Sequence, residues 1–480
     1  MPEVGKKIKF GTDGWRGIIA DDFTFERLAL VAPIAAQVLS QTYGATVGNK
    51  TVIVGYDRRF MAEAFARKAA EVVSEAGFDV LLSETYAPTP AFSLAVKQRG
   101  ALGALVITAS HNPGNYSGLK VKGAFGGSVP PEVTHQIEAL LTEAQPNVNT
   151  VDSGSIQTFN PWSSYCETLR AKVDIDRIRS FITEGKLTVF ADVMHGAAAS
   201  GLEQLLQVPV QEINSNRDPL FGGGAPEPLP RYLSHLFELI RSHSRENKAI
   251  AVGLVFDGDS DRIAAVDGQG NFLSSQILIP ILIEHLATRR KHGGEIVKTV
   301  SGSDLIPRIA DLYQLSVFET PIGYKYIADR MLETQVLLGG EESGGIGYGT
   351  HIPERDALLS ALYVLEAVTE SGLDLSDLYQ RLQKQTNFVS AYDRIDLPLA
   401  SMEVRSRLLE QLQNQPLKEI AGKAVVDCLT IDGYKFRLAD GSWLMIRFSG
   451  TEPVLRLYCE APSIEEVNQT LSWAKEWAGD

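Results

Sequence analysis

Short apolar runs alternate with helical stretches over the first three quarters of the chain. TVIVGYD at 51–57 is apolar and β-branched like a buried strand, and MAEAFARKAAEVVSEAG at 61–77 follows with helical spacing and a terminal glycine. Strand and loop recur in ALGALVITASHNP at 101–113, KLTVFADVMHGAA at 186–198 and AIAVGLVFDGDSDR at 249–262. This pattern predicts α/β units whose ligand loops follow the carboxyl ends of parallel strands.

The last quarter of the chain has a different pattern. Residues 424–461 alternate like an antiparallel meander, and IEEVNQTLSWAKEWAG at 464–479 has the spacing of a closing helix. Polar or turn-rich stretches at 143–157, 257–270 and 371–374 are candidate boundaries. We therefore predict three similar mixed α/β domains at 1–150, 151–260 and 261–375, and a smaller α+β domain at 376–480.

Bulk properties narrow the class of protein. The chain has 480 residues and a net charge of −14, which is unfavourable for binding nucleic acid or an anionic membrane. An anionic substrate would need a local cluster of Lys and Arg. Three scattered cysteines, no secretory leader and no apolar run of membrane-spanning length favour a cytoplasmic protein without disulfides.

The loop TASHNP follows the strand that ends at residue 107. Glycine, proline and asparagine are typical of turns, but a connecting loop does not need Ser110 beside His111. Ser110 is therefore a candidate nucleophile held at a strand end. The alternative is a turn whose serine and asparagine bond the local backbone.

The acidic loop DGDSDR also follows an apolar strand. Asp257, Asp259 and Asp261 would repel one another without a cation between them, and oxygen ligands suit Mg²⁺. The alternative is a solvated acidic turn, which is less typical after a buried strand. Arg262, next in sequence, is well placed to bind a phosphate.

Two further loops carry polar side chains in short turns. IRFSGTEP at 446–453 combines a guanidinium, two hydroxyls and free backbone N–H groups, and it is either an anion cradle or an ordinary hairpin turn. LLGGEESGGIGYG at 337–349 offers Glu341 and Ser343, which suit sugar hydroxyls unless the segment is only a flexible surface loop. Isolated basic candidates are Arg16, Lys120, Lys298 and Lys325.

These four loops, in this order, resemble the α-D-phosphohexomutase superfamily of phosphoglucomutases and phosphomannomutases. TASHNP is similar to that family's phosphoserine loop, DGDSDR to its metal loop, GEESGG to its sugar loop and RFSGTEP to its phosphate loop. The resemblance extends over essentially the whole chain. It implies four domains around a central cleft, with one loop from each domain.

The resemblance also implies roles for individual residues. Ser110 would be the phosphorylated nucleophile and, with Asp257, Asp259 and Asp261, a ligand of Mg²⁺. His111, next to the nucleophile, and Lys120 are alternative candidates for moving the proton. The implied substrate-binding residues are Arg16, Arg262, Lys298, Lys325, Glu341, Ser343, Arg447, Ser449, Gly450 and Thr451.

The implied reaction interconverts hexose 1-phosphate and 6-phosphate through a phosphoserine and a 1,6-bisphosphate. Mg²⁺ is the implied metal, and glucose 1,6-bisphosphate is the implied activator and intermediate. Gly345 stands where phosphomannomutase-type enzymes often have His, and Tyr324 with Lys325 resembles the glucose branch. We expect glucose phosphates, with mannose phosphate a further candidate, and the phosphoglucosamine branch stays open.

Other functions remain as alternatives. A family member could synthesise glucose 1,6-bisphosphate from another phosphoryl donor and release it. A haloacid-dehalogenase-type phosphatase would use Asp257 of VFDGDSD as its nucleophile, but it leaves the loops at Ser110, Glu341 and Arg447 unexplained. A non-catalytic sugar-phosphate sensor would not need Ser110 and three aspartates.

Overall fold

The computed structural model describes residues 7–11, 13–143, 152–449 and 453–479. Four β-sheets follow one another along the chain. None of the helices in these ranges is both long and apolar enough to cross a membrane.

The first sheet has seven strands in the order β1-β2-β6-β5-β3-β4-β7. Strands β3, β4, β5 and β7 are parallel, whereas β6 pairs antiparallel with β5. The strands are β1 Phe10–Gly11, β2 Gly14–Ile18, β3 Thr51–Tyr56, β4 Asp79–Ser83, β5 Gly103–Ile107, β6 Tyr116–Gly123 and β7 Ile156–Phe159, with helices α1 Phe25–Val47, α2 Ala62–Glu75, α3 Thr89–Arg99 and α4 Pro131–Glu143.

The second sheet has five strands in the order β12-β11-β10-β8-β9, and the acidic loop joins the antiparallel strands β10 and β11. The strands are β8 Leu187–Asp192, β9 Gln211–Ile213, β10 Ile250–Phe256, β11 Ile263–Val266 and β12 Phe272–Leu273, with helices α5 Pro161–Arg170, α6 Ile175–Thr183, α7 Gly201–Leu206 and α8 Ser234–Glu246.

The third sheet has four strands in the order β14-β13-β15-β16, and the GEESGG loop joins β15 to β16. The strands are β13 Glu295–Thr299, β14 Val317–Thr320, β15 Val336–Gly340 and β16 Ile346–Gly347, with helices α9 Ser275–Thr288, α10 Leu305–Leu312, α11 Tyr324–Glu333, α12 Ala357–Ser371 and α13 Leu375–Thr386.

The fourth sheet is antiparallel, in the order β17-β22-β21-β20-β19-β18, and helix α15 packs on it as the meander pattern predicts. The strands are β17 Ala391–Pro398, β18 Glu419–Ile420, β19 Lys423–Leu429, β20 Tyr434–Leu438, β21 Trp443–Phe448 and β22 Val454–Ala461, with helices α14 Met402–Asn414 and α15 Ile464–Gly479. The predicted fold class, three mixed α/β domains and a smaller α+β domain, is confirmed.

The hydrophobic cores join the first three sheets more closely than the fourth. One buried cluster runs from Ile53 in the first sheet to Leu382 on α13. The fourth sheet and its helices have a separate core. β7 lies beyond residue 150, and β11 and β12 lie beyond residue 260, so the first two sheets include residues on both sides of the predicted limits. The domain limits themselves stay predictions.

Candidate active site

The Ser110 loop turns sharply between β5 and β6. Ser110 has a φ of 52°, in the left-handed region that non-glycine residues seldom adopt. Its backbone N–H donates to Thr108 Oγ1 at 2.9 Å, and that hydroxyl donates to Asp57 Oδ2 at 2.6 Å. The serine thus lies on a braced turn rather than on a flexible connection.

The acidic loop is equally well braced. Asp257, Asp259 and Asp261 are fully buried, and oxygen atoms from all three lie within 4.8 Å of one another. Asp257 Oδ1 accepts from the backbone N–H groups of Asp261 and Arg262 at 3.0 and 3.1 Å. The backbone of the loop therefore turns the three carboxylates toward one point.

The two loops meet at the nucleophile. Ser110 Oγ donates to Asp257 Oδ2 at 3.0 Å. A Cβ atom on Gly258 would lie only 2.4 Å from the carbonyl oxygen of Ser110, so the backbones touch at a position that only glycine allows. Thr89, from the first unit, donates its hydroxyl to Asp259 Oδ2 at 2.6 Å. Residues that lie far apart in the sequence therefore form a single compact site.

The buried carboxylates have opposite pKa shifts. Burial, together with the charges of Asp261 and Asp259, raises the pKa of Asp257 well above its usual value. Burial also acts to raise the pKa of Asp259, but the ammonium of Lys120 and the hydroxyl of Thr89 outweigh it and hold that pKa below the usual value. The negative charge of Asp257 is thus less well balanced by its neighbours than that of Asp259.

The unsatisfied oxygens show where a cation fits. Asp259 Oδ1 and Asp261 Oδ1 are buried and have no hydrogen-bond partner among the described residues. A buried carboxylate oxygen without a partner is costly, and a divalent cation supplies that partner. With Asp257 Oδ2 and Ser110 Oγ beside them, the donor set is all oxygen, as a hard ion such as Mg²⁺ prefers. The residues present fit a metal at this point.

Lys120 and His111 flank this site, and their pKa values are shifted in opposite directions. Lys120 Nζ lies 2.8, 2.7 and 2.8 Å from carboxylate oxygens of Asp13, Asp259 and Asp261. Burial lowers its pKa, but these carboxylates outweigh burial and raise the pKa above its usual value. Nδ1 of His111 lies 3.4 Å from Ser110 Oγ. The charge of Arg262, burial and the charge of Arg16 hold the pKa of His111 well below its usual value, which favours the neutral imidazole.

A cleft of about 770 Å³ opens above these two loops, with walls from all four units. Ser110 and the three aspartates are too deeply buried to line it, but His111 and Arg262 do. Among the described residues its walls carry eight basic side chains and five acidic ones. These are Lys9, Arg16, Arg262, Lys325, Arg355, Arg394, Arg447 and Arg456, and Asp13, Glu227, Glu341, Glu342 and Asp396. An acidic chain thus presents a locally basic cleft, as an anionic ligand requires.

The sugar-loop residues lie on the third-domain side of the cleft. Glu341 and Ser343 both line it. Burial raises the pKa of Glu341, although Arg355, whose Nη1 lies 3.6 Å from Glu341 Oε2, partly offsets the shift. The next residue, Glu342, accepts from Arg394 of β17 at 3.0 Å. The loop is therefore held by the fourth unit as well as by its own strands.

The phosphate-loop residues lie on the fourth-domain side. Arg447 lines the cleft, and its Nε donates to Asp432 Oδ2 at 3.0 Å. Ser449 is nearly buried beside it, and its carbonyl accepts from Arg405 Nε at 2.6 Å. Gly450 and Thr451 lie outside the described residues.

The remaining predicted cations are placed differently. Arg16 lines the cleft and donates to Asn112 Oδ1 at 2.7 Å, and Lys325 also lines the cleft. Lys298 does not line the cleft. It is buried, with its Nζ 2.6 Å from Glu319 Oε2 and 3.1 Å from the carbonyl of Gly302. Lys298 is therefore left out of the proposed site.

Sequence reasoning missed several residues that the cleft brings together. Arg355 Nη2 donates to Asp13 Oδ2 and to Asp261 Oδ2, both at 2.7 Å, and so connects the first, second and third units. The proximity of Asp13 to Arg16 in GTDGWRG, and the position of Arg355 directly before an apolar helix, were the available signals. No comparable signal in the sequence pointed to Arg394 and Arg456, which lie on adjacent strands of the fourth sheet.

Comparisons with known proteins identify four consecutive domains of one family in this chain. Models of the phosphoglucomutase/phosphomannomutase family match in order: α/β/α domain I at 7–147, domain II at 163–270, domain III at 274–386 and the C-terminal domain at 403–472. A "Probable phosphoglucosamine mutase" of Methanothermobacter thermautotrophicus is 31% identical over 95% of this chain and 94% of its own length.

Solved structures lead to the same family. A crystal structure described as a "putative phosphomannomutase" from Thermus thermophilus has a TM-score of 0.85 and 32% identity, covering 99% of this chain and all of that one. N-acetylphosphoglucosamine mutase of Aspergillus fumigatus, in complex with GlcNAc-6P and magnesium, shares the fold, with a TM-score of 0.60 and 13% identity over 100% and 97% of the chains. The chain belongs to the phosphoglucomutase/phosphomannomutase family and is an isomerase of the intramolecular phosphotransferase class.

Proposed function

We propose that this enzyme interconverts hexose 1-phosphate and hexose 6-phosphate through a phosphorylated Ser110 and a hexose 1,6-bisphosphate. The observation that carries the proposal is the 3.0 Å bond from Ser110 Oγ to Asp257 within a buried carboxylate triad, below a basic cleft. An ordinary turn serine would not need such surroundings. The geometry instead suits a hydroxyl that receives and returns a phosphoryl group.

The chain's residues divide the work of the transfer. The phosphoryl group moves from phosphorylated Ser110 to the free hydroxyl of the hexose monophosphate, and the other phosphate of the resulting bisphosphate later returns to Ser110. When the phosphoryl group returns, the Ser110 hydroxyl must lose a proton, and His111, whose Nδ1 lies 3.4 Å from Ser110 Oγ, is placed to take it. Lys120, pinned by carboxylates, keeps its proton and contributes positive charge. Mg²⁺ held by Asp257, Asp259 and Asp261 would supply further charge neutralisation at the phosphoryl oxygens.

Recognition falls to the cleft walls. Arg447, Ser449, Gly450 and Thr451 would hold the phosphate that does not react, and Glu341 and Ser343 would bind sugar hydroxyls. Arg16, Arg262 and Lys325 would balance the remaining charge of the bisphosphate. Because the bisphosphate must react from either end, these contacts accept two orientations of one sugar.

Glucose phosphates are the substrates that we propose first, because Tyr324 and Lys325 stand in the cleft wall as the glucose-branch resemblance implies. Glucosamine phosphates are the second candidate, because the relative mentioned above is named a "Probable phosphoglucosamine mutase" and because five carboxylates, which would attract an amino group, line the cleft. Mannose phosphate ranks third. Glucose 1,6-bisphosphate is proposed as activator, and its net synthesis remains an alternative outcome.

The test is conversion of glucose 1-phosphate to glucose 6-phosphate with Mg²⁺ and a trace of glucose 1,6-bisphosphate, followed by the glucosamine and mannose phosphates. We expect turnover by the wild type and none by Ser110→Ala. Ser93→Ala is the matched control. Ser93 is also a buried serine, but its Oγ, unlike that of Ser110, has no hydrogen-bond partner among the described residues. Turnover by Ser110→Ala would overturn the nucleophile. A phosphoenzyme that hydroxylamine cleaves would instead indicate an acyl phosphate at Asp257.

A further inference from the structure

The conformation of the Ser110 loop requires support from outside the loop. Ser110 has a left-handed φ of 52°, and such backbone strain persists only where the surrounding structure holds it. Between Ser110 and the start of β6 the loop forms no regular ladder. The N–H of Tyr116 donates to the carbonyl of Pro113 and that of Ile19 to the carbonyl of Asn115, and the other carbonyl groups need further donors. The identity of those donors determines what fixes the nucleophile.

Arg59 provides them. Its Nη2 donates to the carbonyls of Ser110 at 2.5 Å and Asn112 at 2.6 Å. Its Nη1 donates to the carbonyls of Pro113 at 2.9 Å and Tyr116 at 3.1 Å. A guanidinium carries four N–H bonds on these two nitrogens, so one side chain uses all four on a single loop.

Arg59 is itself held from several sides. Its backbone N–H donates to Asp57 Oδ1 at 2.9 Å, and its Nε lies 3.3 Å from Asp57 Oδ2. Asp57 also accepts from the Thr108 hydroxyl that holds the Ser110 N–H. The ring of Phe221, from the second unit, lies 4.8 Å from the guanidinium carbon. Asp57, Thr108 and Arg59 thus hold the turn through contacts with one another as well as with Ser110.

Arg59 acts without touching the substrate. Its side chain is fully buried, and it is not among the residues that line the cleft. We propose that Arg59 is a positioning residue for phosphoryl transfer, which clamps the loop so that Ser110 Oγ points at the carboxylate triad. The inference rests on the proposed function, since it assumes that Ser110 carries the phosphoryl group.

The clamp needs arginine rather than any cation. A lysine has three N–H bonds on one nitrogen and no planar fork, so it cannot reach four carbonyls spread over seven residues. Arg59→Lys would keep the charge beside Asp57 and leave carbonyls of the loop without donors. The conservative substitution therefore separates geometry from charge.

The experiment compares Arg59→Ala and Arg59→Lys with Arg58→Ala in the mutase assay. Arg58 is an adjacent buried arginine, but it donates at 2.8 Å to Ser215 of the second unit instead of to the Ser110 loop. Because a small misplacement of a reacting atom costs about 100-fold in rate, we expect Arg59→Ala to lower kcat by about 100-fold with KM within about threefold. Arg59→Lys should fall by at least about tenfold, and Arg58→Ala by less than about threefold.

Two readouts separate positioning from general loss of structure. Guanidinium ion, added at concentrations that leave the wild-type rate unchanged, should raise the kcat of Arg59→Ala at least about tenfold and leave Arg58→Ala unaffected, because it refills the same fork. Hydrogen exchange of peptides over 108–118 should accelerate in both Arg59 variants, with peptides of the fourth unit unchanged. If Arg59→Ala does not fold, the kcat and the hydrogen exchange of Arg59→Lys carry the test without the guanidinium experiment.

The outcomes distinguish this inference from the proposed function. A wild type that turns over no hexose phosphate would defeat the proposed function, whereas the exchange experiment would still report the clamp. Normal kcat in Arg59→Lys, or a rise in KM alone, would overturn the clamp while the mutase stands. Exchange in the 108–118 peptides equal to wild type in both variants would also overturn it.

Discussion

The two parts of the proposed active site, a reacting end buried beneath the cleft and a recognition end in the cleft wall, are built by different means. At the reacting end Ser110, Lys120, Asp257, Asp259 and Asp261 are each at most 1% exposed, and each is bonded to a neighbour from another part of the chain. At the recognition end the side chains of Arg394, Arg447 and Arg456 are 26, 22 and 37% exposed. One end is buried and closely hydrogen-bonded, and the other consists of long, partly exposed side chains at the cleft surface.

The difference follows from what each end must do. Charge that develops during phosphoryl transfer is stabilised best by groups that are already fixed and shielded from water. A sugar bisphosphate that must bind in two orientations is better held by several partly exposed cations, because none of them requires a single geometry. Substitutions at the reacting end should therefore change kcat, and those at the recognition end should change KM.

Among the variants that retain Ser110, the largest effect is expected for Asp259→Asn. Asp259 Oδ1 is buried without a partner among the described residues and faces the metal position, while Oδ2 accepts from Thr89 and Lys120. The substitution removes one charge of the triad, so kcat should fall by roughly 1,000-fold and the rate should lose its dependence on Mg²⁺. Initial rates across a Mg²⁺ titration of EDTA-treated enzyme measure both quantities.

The matched control for that substitution is Asp192→Asn. Asp192 is also a buried carboxylate at a strand end of the second sheet, but it bonds Asn214 and the N–H of Met194 rather than the cleft. Its variant should keep the wild-type Mg²⁺ response. An Asp259→Asn enzyme with unchanged metal dependence would remove the triad from the mechanism.

A smaller effect is expected for Arg447→Ala. Arg447 pairs with the carboxylate of Asp432, and Arg394, Arg456 and Lys325 line the same cleft and stay in place. The loss of one charge-assisted bond corresponds to roughly a 10- to 100-fold fall in kcat/KM, which should come mainly from KM. Steady-state kinetics in both directions of the reaction test whether the fall is similar for each phosphate.

Arg407→Ala controls for this variant, because Arg407 is an exposed arginine of α14 that does not line the cleft. It should leave KM unchanged. If Arg447→Ala lowered kcat with KM unchanged, the division between a reacting end and a recognition end would not hold.

The fold was predictable where local patterns carry it. Strand and helix periodicity predicted the three α/β domains and the C-terminal meander, and both are confirmed. Strand β7 was not predicted, because three of its four residues are exposed and only its pairing with β4 makes it a strand. Edge strands of this kind depend on a partner that the sequence pattern does not reveal.

The site was predictable where its residues are close in sequence. Asp257, Asp259 and Asp261 share one loop, so their chemistry is visible in the sequence alone. Lys298 and Lys325 looked equivalent as lone lysines, yet Glu319 on the adjacent strand β14 sequesters Lys298. The bond from Arg355 to Asp13 joins residues 342 positions apart, and only tertiary packing brings them together.

The smallest effect on turnover is expected for Lys435→Met, beneath the recognition end. Lys435 is fully buried between the third and fourth units, where its Nζ donates to the carbonyl of Val300 at 2.9 Å and lies 4.0 Å from the ring centroid of Trp443. Burial, assisted by the charge of Lys298, lowers the pKa of Lys435 to about 8. It does not line the cleft, so kcat and KM should stay within about twofold of wild type.

The effect of Lys435→Met should be seen in stability. Between pH 8 and about 10.4 the unfolded chain still binds the Lys435 proton that the folded protein has released, so wild-type stability gains up to roughly 3 kcal/mol as pH rises through this window. The variant lacks this gain. Urea unfolding of both proteins at several pH values from 7.5 to 10 should therefore show that the difference in stability, wild type minus variant, increases with pH. Curves that stay parallel would mean that Lys435 keeps its ordinary pKa, and that the fourth unit binds this ammonium as a charged group rather than tolerating it as a neutral amine.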